Sequence, residues 1–361
     1  MLDSIKVLVA DDSAFMRKII REILQEDPYI QVVGTARNGE DALEKIRELD
    51  PDVVTMDIEM PTMDGITALK LIMRETPRAV IMLSSLTQEG ADVTIRALQL
   101  GAVDFIAKPI NRPSYDLGDV KKELVVKVKG AASAILRNLR VIKPQVPEEI
   151  EPKIEPPLLK KTRKPGFRLG RAVAIGVSTG GPKTLLDIIP RLPADFPATI
   201  FITQHMPAGF TKSLAERMDS LSEIRVREAR DTEIAEQGTA YLAPGDFHMT
   251  VSPAVLSKGV MVKVDEKPLN TLHRPSVDVM MSSVAATYGA KTVGVILTGM
   301  GQDGTKGMSL IKGQGGKTIA EDESSCVVFG MPKMAIESGC IDKVVPARRV
   351  AGAIMEAVSW P

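Results

Sequence analysis

The amino-acid sequence predicts two α/β domains, each on a largely parallel sheet, and three observations carry that expectation. The 361 residues exceed one ordinary core, because domains run at roughly 100–200 residues. In both halves, short and nearly continuous apolar runs alternate with amphipathic segments, the pattern of strands buried on both faces under helices. Between the halves, residues 141–168 hold six of the chain's 24 prolines and show no apolar period. That stretch reads as a semi-extended linker, acidic first (Glu148, Glu149, Glu151, Glu155) and basic after (Lys160, Lys161, Arg163, Lys164). The chain therefore divides into a first domain over 3–125, a helix end and linker over 126–168, and a second domain over 169–358.

In the first half, strands are expected at IKVLVA (5–10), QVVGTA (31–36), DVVTMD (52–57), AVIMLS (79–84) and AVDFIA (102–107). Helices separate them: 14–26, with Phe15, Ile19, Ile20, Ile23 and Leu24 on one face, then 38–49, near 66–75 and near 89–100, with the last within 118–139. In the second half, strands are expected at AVAIGV (172–177), ATIFITQH (198–205), IRVREA (224–229), TAYLAP (239–244), TVGVILTG (292–299), KTIAED (317–322) and CIDKVV (340–345), with a hairpin over 247–263. Helices are expected at 183–189, near 210–219, near 276–288, near 332–338 and at the end of the chain. Some of these strands are open to antiparallel pairing, and no repeat relates the two halves.

Composition narrows the function classes. Lys+Arg and Asp+Glu each number 46, so no global field draws nucleic acid or anionic lipid, and a DNA-binding output is disfavoured. The opening MLDSIKVLVADD has too short an apolar run for a secretion signal, and no later run reaches about 18 apolar residues. A cytoplasmic protein without membrane insertion is expected. Cys326 and Cys340, 14 residues apart, fit no paired ligand set and read as buried thiols. Any imidazole base must be His205, His248 or His273.

Ligands of a doubly wound sheet sit at the carboxyl ends of its strands, in the flavodoxin-like order between the first and third. Here the first strand ends in Asp11-Asp12 and the third in Asp57. Three carboxylates repel one another unless a cation compensates them, and oxygen-only ligands favour a hard ion such as Mg²⁺. The fourth strand delivers Ser84 and the fifth Lys108, so a hydroxyl, an ammonium and a metal would surround a phosphoryl group on Asp57. With ADDS, MDIEMPTMDG, LSS and AKP in place, this half resembles the response-regulator receiver domains. The resemblance implies a flavodoxin-like doubly wound fold, Asp57 as phospho-acceptor, and Asp11, Asp12 and Asp57 around Mg²⁺. It also implies Ser84 and Lys108 as a switching pair and Phe105 as the mobile aromatic, where tyrosine often stands.

The second domain opens on VAIGVSTGGPKT (173–184), which nearly fits a phosphate-binding loop and fits G-x-S-x-G fully. Pro182 separates Gly181 from Lys183 and removes an amide donor, and the following strand ends in Gln204-His205 instead of an acid, which argues against a nucleotide site. As a nucleophile, Ser178 needs a base and an orienting acid. His205 ends the next strand 27 residues on, and Asp303 follows TVGVILTG in a glycine-rich loop. His248, in a hairpin strand, and His273, in a loop before a helix, are competing bases that read as structural or substrate-facing. Asp278 is a competing acid that helix capping explains equally well. On these residues alone a non-enzymatic binding module and a hydrolase of other specificity both stay open.

GVSTGGP, QHMPAGFTKSLAERM, LAPGDFHM, RPSVDVMM, LTGMGQDG and DESSCVVFGMPKMAI, in this order, resemble the catalytic domain of the chemotaxis protein-glutamate methylesterases. The resemblance implies a doubly wound α/β methylesterase domain with Ser178 as nucleophile, His205 as base, Asp303 as orienting acid and the Met300 amide as oxyanion donor. Elbow geometry suggests the Thr179 amide as the second donor. It further implies a phosphorylation-activated esterase with no cofactor in its own site, acting on glutamyl methyl esters, and on certain glutamines, of chemoreceptor cytoplasmic helices. The phosphodonor would be a chemotaxis histidine kinase, and the resting receiver would pack over the strand ends that carry Ser178.

Overall fold

The computed structural model describes residues 4–108, 117–138, 170–254 and 259–359; the proline-rich linker lies outside the described residues. The first half forms β1 (Ile5–Ala10), α1 (Ala14–Gln25), β2 (Ile30–Ala36), α2 (Gly39–Leu49), β3 (Val53–Asp57), α3 (Gly65–Glu75), β4 (Ala79–Ser84), α4 (Gln88–Gln99), β5 (Asp104–Ala107) and α5 (Leu117–Asn138). Its strands pair in the order β2-β1-β3-β4-β5, all parallel, which is the flavodoxin-like order.

Alternation along these strands sends successive side chains to opposite faces. Leu8, Val54, Val80 and Met82 pack with α2, α3 and α4, while Val7, Val9, Val53 and Ile81 pack with α1 and α5. Val128, Ala131 and Ala132 of α5 are buried in the second of these clusters. α1 is rotated from the expected face: it buries Met16, Ile20 and Leu24 and leaves Phe15 67% exposed. Ser13 caps this helix by accepting from the Met16 amide, and the i, i+4, i+8 row that starts at Met16 faces the sheet.

The second half forms β6 (Arg171–Val177), α6 (Gly181–Ile188), β7 (Ala198–Gln204), α7 (Phe210–Leu221), β8 (Arg225–Glu228), β9 (Thr239–Leu242), β10 (His248–Pro253) and β11 (Val260–Asp265). It continues with α8 (Val277–Tyr288), β12 (Thr292–Ile296), α9 (Thr305–Gly313), β13 (Lys317–Glu321), α10 (Met331–Glu337), β14 (Lys343–Val345) and α11 (Ala347–Ser359). Seven strands form one sheet in the order β14-β13-β12-β6-β7-β9-β8, and every pair in it is parallel. Antiparallel pairing is confined to β10 and β11, which form a separate two-stranded ribbon. The chain winds one way from β6 to β7 and the other way to β12, so the crevice at the carboxyl ends of β6 and β12 is a switch point of this sheet.

The two domains meet through α4, β5 and α5 of the first and through α6, α7 and the segment carrying Val327 and Val328 of the second. Phe105 of β5 stacks on Phe210 of α7, with centroids 4.6 Å apart and planes 16° from parallel. Gln88 Nε2 donates to Ser213 Oγ at 2.8 Å and Arg217 Nε to Gln99 Oε1 at 2.9 Å. Among the described residues, no helix is long and apolar enough to cross a membrane.

On the far side of the large sheet, Phe201 is fully buried and packs on the rings of Tyr241 and Tyr288, at 5.9 and 6.2 Å between centroids. Phe201→Ala should lower the stability of the second domain by about 3–5 kcal/mol, the usual loss for a buried aromatic truncated to a methyl group. Denaturant unfolding followed by tryptophan-independent circular dichroism measures it, and a loss under about 1 kcal/mol would show that this contact is not central to the core.

Candidate active site

Ser178 lies one residue beyond β6, where the chain must turn from strand into α6 within three residues. Gly180 makes that turn with φ +77°, a left-handed conformation that disfavours any side chain. Pro182 sits in the first turn of α6, where a missing N–H costs nothing. Lys183, the lysine a phosphate loop would need, is exposed.

His205 follows β7, the neighbour of β6, so the parallel register brings it beside Ser178. Its Nδ1 lies 3.2 Å from Ser178 Oγ and its Nε2 lies 2.8 Å from Asp303 Oδ2. An ionised carboxylate only accepts, so Nε2 carries the proton and Nδ1 is free to accept from the Ser178 hydroxyl. Gln204, which sequence reasoning passed over, fixes this corner: its Nε2 donates to the carbonyls of Ser178 and His205, at 3.0 and 3.1 Å. Its position, last in an otherwise apolar strand, was the available signal.

Asp303 lies between β12 and α9 and is held at the N-terminus of α8. It accepts from Ser276 Oγ at 3.0 Å and from the amides of Val277 and Asp278 at 2.7 and 2.9 Å. Burial alone would raise its pKa; the His205 hydrogen bond and charge, with the α8 amides, overcome this and hold the carboxyl well below the usual range. The competing acid, Asp278, is turned elsewhere, accepting from the Gly307 amide of α9 at 2.8 Å. Burial pushes its carboxyl up.

The other two histidines separate clearly. His248 is buried; its Nδ1 accepts from the Ser276 amide at 3.1 Å, and its Nε2 lies 3.1 Å from the Pro268 carbonyl. It thus ties both ends of the 266–276 loop. His273 stacks on His205, 4.1 Å between centroids. Crowding by its neighbours and the adjacent His205 ring hold it below the usual histidine range, although its outer surface is exposed.

The glycine-rich loop after β12 closes on Ser178. A Cβ at Gly299 would fall 2.8 Å from the Ser178 Cβ, so only glycine permits this approach. The Ser178 amide donates to the Thr298 carbonyl at 3.0 Å, and Thr298 Oγ1 donates to the Thr179 carbonyl at 2.9 Å. With the Ser178 N–H engaged, the next amides along the two segments are those of Thr179 and Met300. Such an arrangement can deprotonate a hydroxyl, attack an acyl carbon and receive the resulting oxyanion.

At the carboxyl edge of the smaller sheet, one oxygen from each of Asp11, Asp12 and Asp57 lies within 4.8 Å of the others. Lys108 Nζ sits between Asp11 Oδ2, at 2.9 Å, and Asp57 Oδ2, at 2.6 Å. Burial pushes the Asp57 carboxyl up to about 6, against the pull of Lys108. One ammonium facing three carboxylates leaves the cluster anionic, and its donors are all oxygen, which fits a hard divalent cation such as Mg²⁺. Ser84 is buried and engaged with α4: it donates toward the Gly90 carbonyl at 3.2 Å and accepts from Thr94 Oγ1 at 2.7 Å. Phe105 is buried against Phe210. Both cysteines are buried thiols, as expected.

A family model described as CheB methylesterase matches residues 173–354, and one described as response regulator receiver domain matches residues 7–115. The protein-glutamate methylesterase/protein-glutamine glutaminase of Pyrococcus horikoshii is 45% identical over 359 residues, covering 98% of this chain and 94% of the relative. The one from Archaeoglobus fulgidus is 51% identical over 350 residues, covering 97% of each. The crystal structure of the Thermotoga maritima CheB methylesterase catalytic domain matches with a TM-score of 0.50 at 50% identity, over 52% of this chain and 98% of that one. The chain belongs to the CheB methylesterase family, in the form that carries a response-regulator receiver domain before the esterase domain.

Proposed function

We propose that the protein is a phosphorylation-activated esterase that hydrolyses glutamyl methyl esters on chemoreceptors to glutamate and methanol, and deamidates selected receptor glutamines. The observation that carries this reading is the unbroken hydrogen-bonded series from Ser178 through His205 to Asp303, in a chain so similar to the named methylesterase/glutaminases. Ser178 Oγ attacks the γ-carbonyl carbon while His205 Nδ1 takes its proton, and Asp303 stabilises the imidazolium that forms. The amides of Thr179 and Met300 are the donors we assign to the oxyanion. Collapse of the tetrahedral intermediate expels methanol, which takes the proton from His205. Water, deprotonated by the same imidazole, then cleaves the acyl-serine to leave glutamate. A primary amide follows the same course with ammonia as leaving group.

In the receiver domain, Asp57 is the proposed phospho-acceptor, supplied by a chemotaxis histidine kinase. Asp11, Asp12 and Asp57 would hold Mg²⁺, which neutralises charge on the incoming phosphoryl group. Lys108 already touches Asp57 and is positioned to hold a phosphoryl oxygen; Ser84 and Phe105 complete the proposed switch. The esterase site is assigned no cofactor, since its serine, imidazole and carboxylate carry the whole proton balance. Receptor signalling helices and their kinase lie in the cytoplasm, where we place this protein. No nucleic acid and no membrane insertion enter this reading.

Methanol release from methylated chemoreceptor membranes tests the assignment. Ser178→Ala should reduce it by about 10⁴–10⁶-fold and Asp303→Asn by about 10⁴-fold; a Ser178→Ala protein that retains most activity would sink the nucleophile assignment. Acetyl phosphate with Mg²⁺ should raise the release by the full-length protein. Asp57→Asn should abolish that rise while keeping the unstimulated rate, and a rise that persists in this variant would place the phospho-acceptor elsewhere.

A further inference from the structure

One carboxylate of the receiver domain reaches the nucleophile turn itself. Asp104, the first residue of β5, is 2% exposed. Its Oδ2 accepts from the Gly180 N–H at 2.9 Å, two residues beyond Ser178. Its Oδ1 accepts from the Phe105 amide at 2.7 Å and lies 3.3 Å from Lys127 Nζ of α5. Lys127 also contacts Glu123 Oε1 at 2.7 Å and donates to the Phe105 carbonyl at 2.6 Å. Gly180 is the N-cap residue of α6 and has no side chain to cap that helix. The other domain instead takes up the N–H of this N-cap residue, the amide that the acidic residue of a capping box bonds within a single chain segment.

This contact differs in kind from apolar packing such as that of Phe105 on Phe210. A buried carboxylate is tolerable only while its partners are in place; burial pushes the Asp104 carboxyl up, and Lys127 with the two amides opposes this. When the domains part, water replaces the Gly180 N–H at little cost, so the contact is firm when docked and easily exchanged. It also places a negative charge at the positive end of α6, beside the Thr179 amide assigned to the oxyanion. Its hold on the Gly180 N–H keeps one amide of this turn engaged with the receiver and unavailable to the reacting oxygen.

We infer that Asp104 is an inhibitory positioning residue: bonded to the Gly180 N–H at the start of α6, it holds the Ser178 turn in a form that resists oxyanion development until the receiver releases it. The inference deepens the proposed regulation and rests on the esterase reading. It adds that docking slows the chemistry itself, even for a reagent too small for the receiver to exclude. β5 offers the connection, because Asp104 begins the strand whose end leads directly into Lys108, the residue in contact with Asp57. Over four residues of strand, about 13 Å, the backbone joins the phosphoryl pocket to the esterase turn.

The test uses the full-length protein and two readouts. The first is the rate at which a small fluorophosphonate labels Ser178, and the second is hydrogen exchange of the Gly180 amide. Without phosphodonor, Asp104→Asn should speed labelling about 10–100-fold, the worth of one hydrogen bond to a charged group, and should speed Gly180 exchange. Because this variant leaves Lys127 without its main counter-charge, an Asp104→Ala, Lys127→Met double variant is measured beside it and should behave alike. Uptake of phosphate by Asp57 from acetyl phosphate should persist in both, which shows that the receiver is folded, and stimulation of labelling by acetyl phosphate should shrink. Unchanged labelling and unchanged Gly180 exchange in both variants would overturn the inference. If Ser178 is labelled in no form, phosphorylated or not, the esterase reading fails, and Gly180 exchange alone then decides whether Asp104 holds the turn.

Discussion

The esterase site depends on where one carboxylate is anchored. Asp303 accepts from the hydroxyl of Ser276, from two amides at the start of α8 and from the imidazole of His205. A helix N-terminus has several unsatisfied N–H groups, and a carboxylate there stays ionised without a cation beside it. That environment solves two problems together. It fixes α8 against the loop after β12, and it leaves a permanent negative charge facing one nitrogen of His205. The tautomer follows, and with it the ability of the other nitrogen to accept from Ser178. The same loop then supplies Thr298, Gly299 and Met300 to the Ser178 turn, so Asp303 and the candidate oxyanion donor belong to one piece.

Much of this was legible because both domains obey the same rule: in a doubly wound sheet, the residues just beyond the carboxyl ends of adjacent strands meet. Asp11, Asp12 and Asp57 follow β1 and β3; Ser178, His205 and Asp303 follow β6, β7 and β12. Apolar runs locate strand ends well, so residues far apart in sequence could be placed together. What the sequence concealed are choices made by packing. His248 and His273 were not separable until the structure put one in the core, bracing a loop, and the other on the face of His205. Asp278 and Asp303 are both acids near a helix start, and only tertiary placement shows that one serves α9 and the other serves His205. The expected face of α1 was displaced onto Met16, since periodicity alone fixes a helical face only to about one residue.

Contacts between domains were the least legible, for a physical reason. A residue that serves an interface has no local period or neighbouring partner to announce it. Asp104 lies within the apolar run AVDFIA, and Lys127 within a helix rich in charge; nothing in either segment indicates that they pair, or that Gly180 lies beyond them. The one signal was the acid itself, an unexplained charge in a strand that is buried throughout. A buried charge needs a partner from somewhere, and here the partners come from α5 and from the other domain.

The two residues proposed to switch the receiver lead into this interface by separate routes. Ser84 is bonded to the Gly90 carbonyl and Thr94 of α4, and α4 reaches α7 through Gln88 and Gln99. Lys108 continues from β5, which carries Phe105 and Asp104 against Phe210 and Gly180. For Ser84 to turn toward a phosphoryl group on Asp57, it must give up bonds that now brace α4. For Lys108 to follow the added charge, the end of β5 must shift with it. Each movement is small, but close-packed interfaces do not stretch: they hold one arrangement or exchange it for another. Both routes load the same face, so under the proposed phosphorylation of Asp57 a single phosphoryl group would disturb the stack of aromatic rings and the buried carboxylate at once. That redundancy favours an interface that lets go as a unit over one that loosens contact by contact.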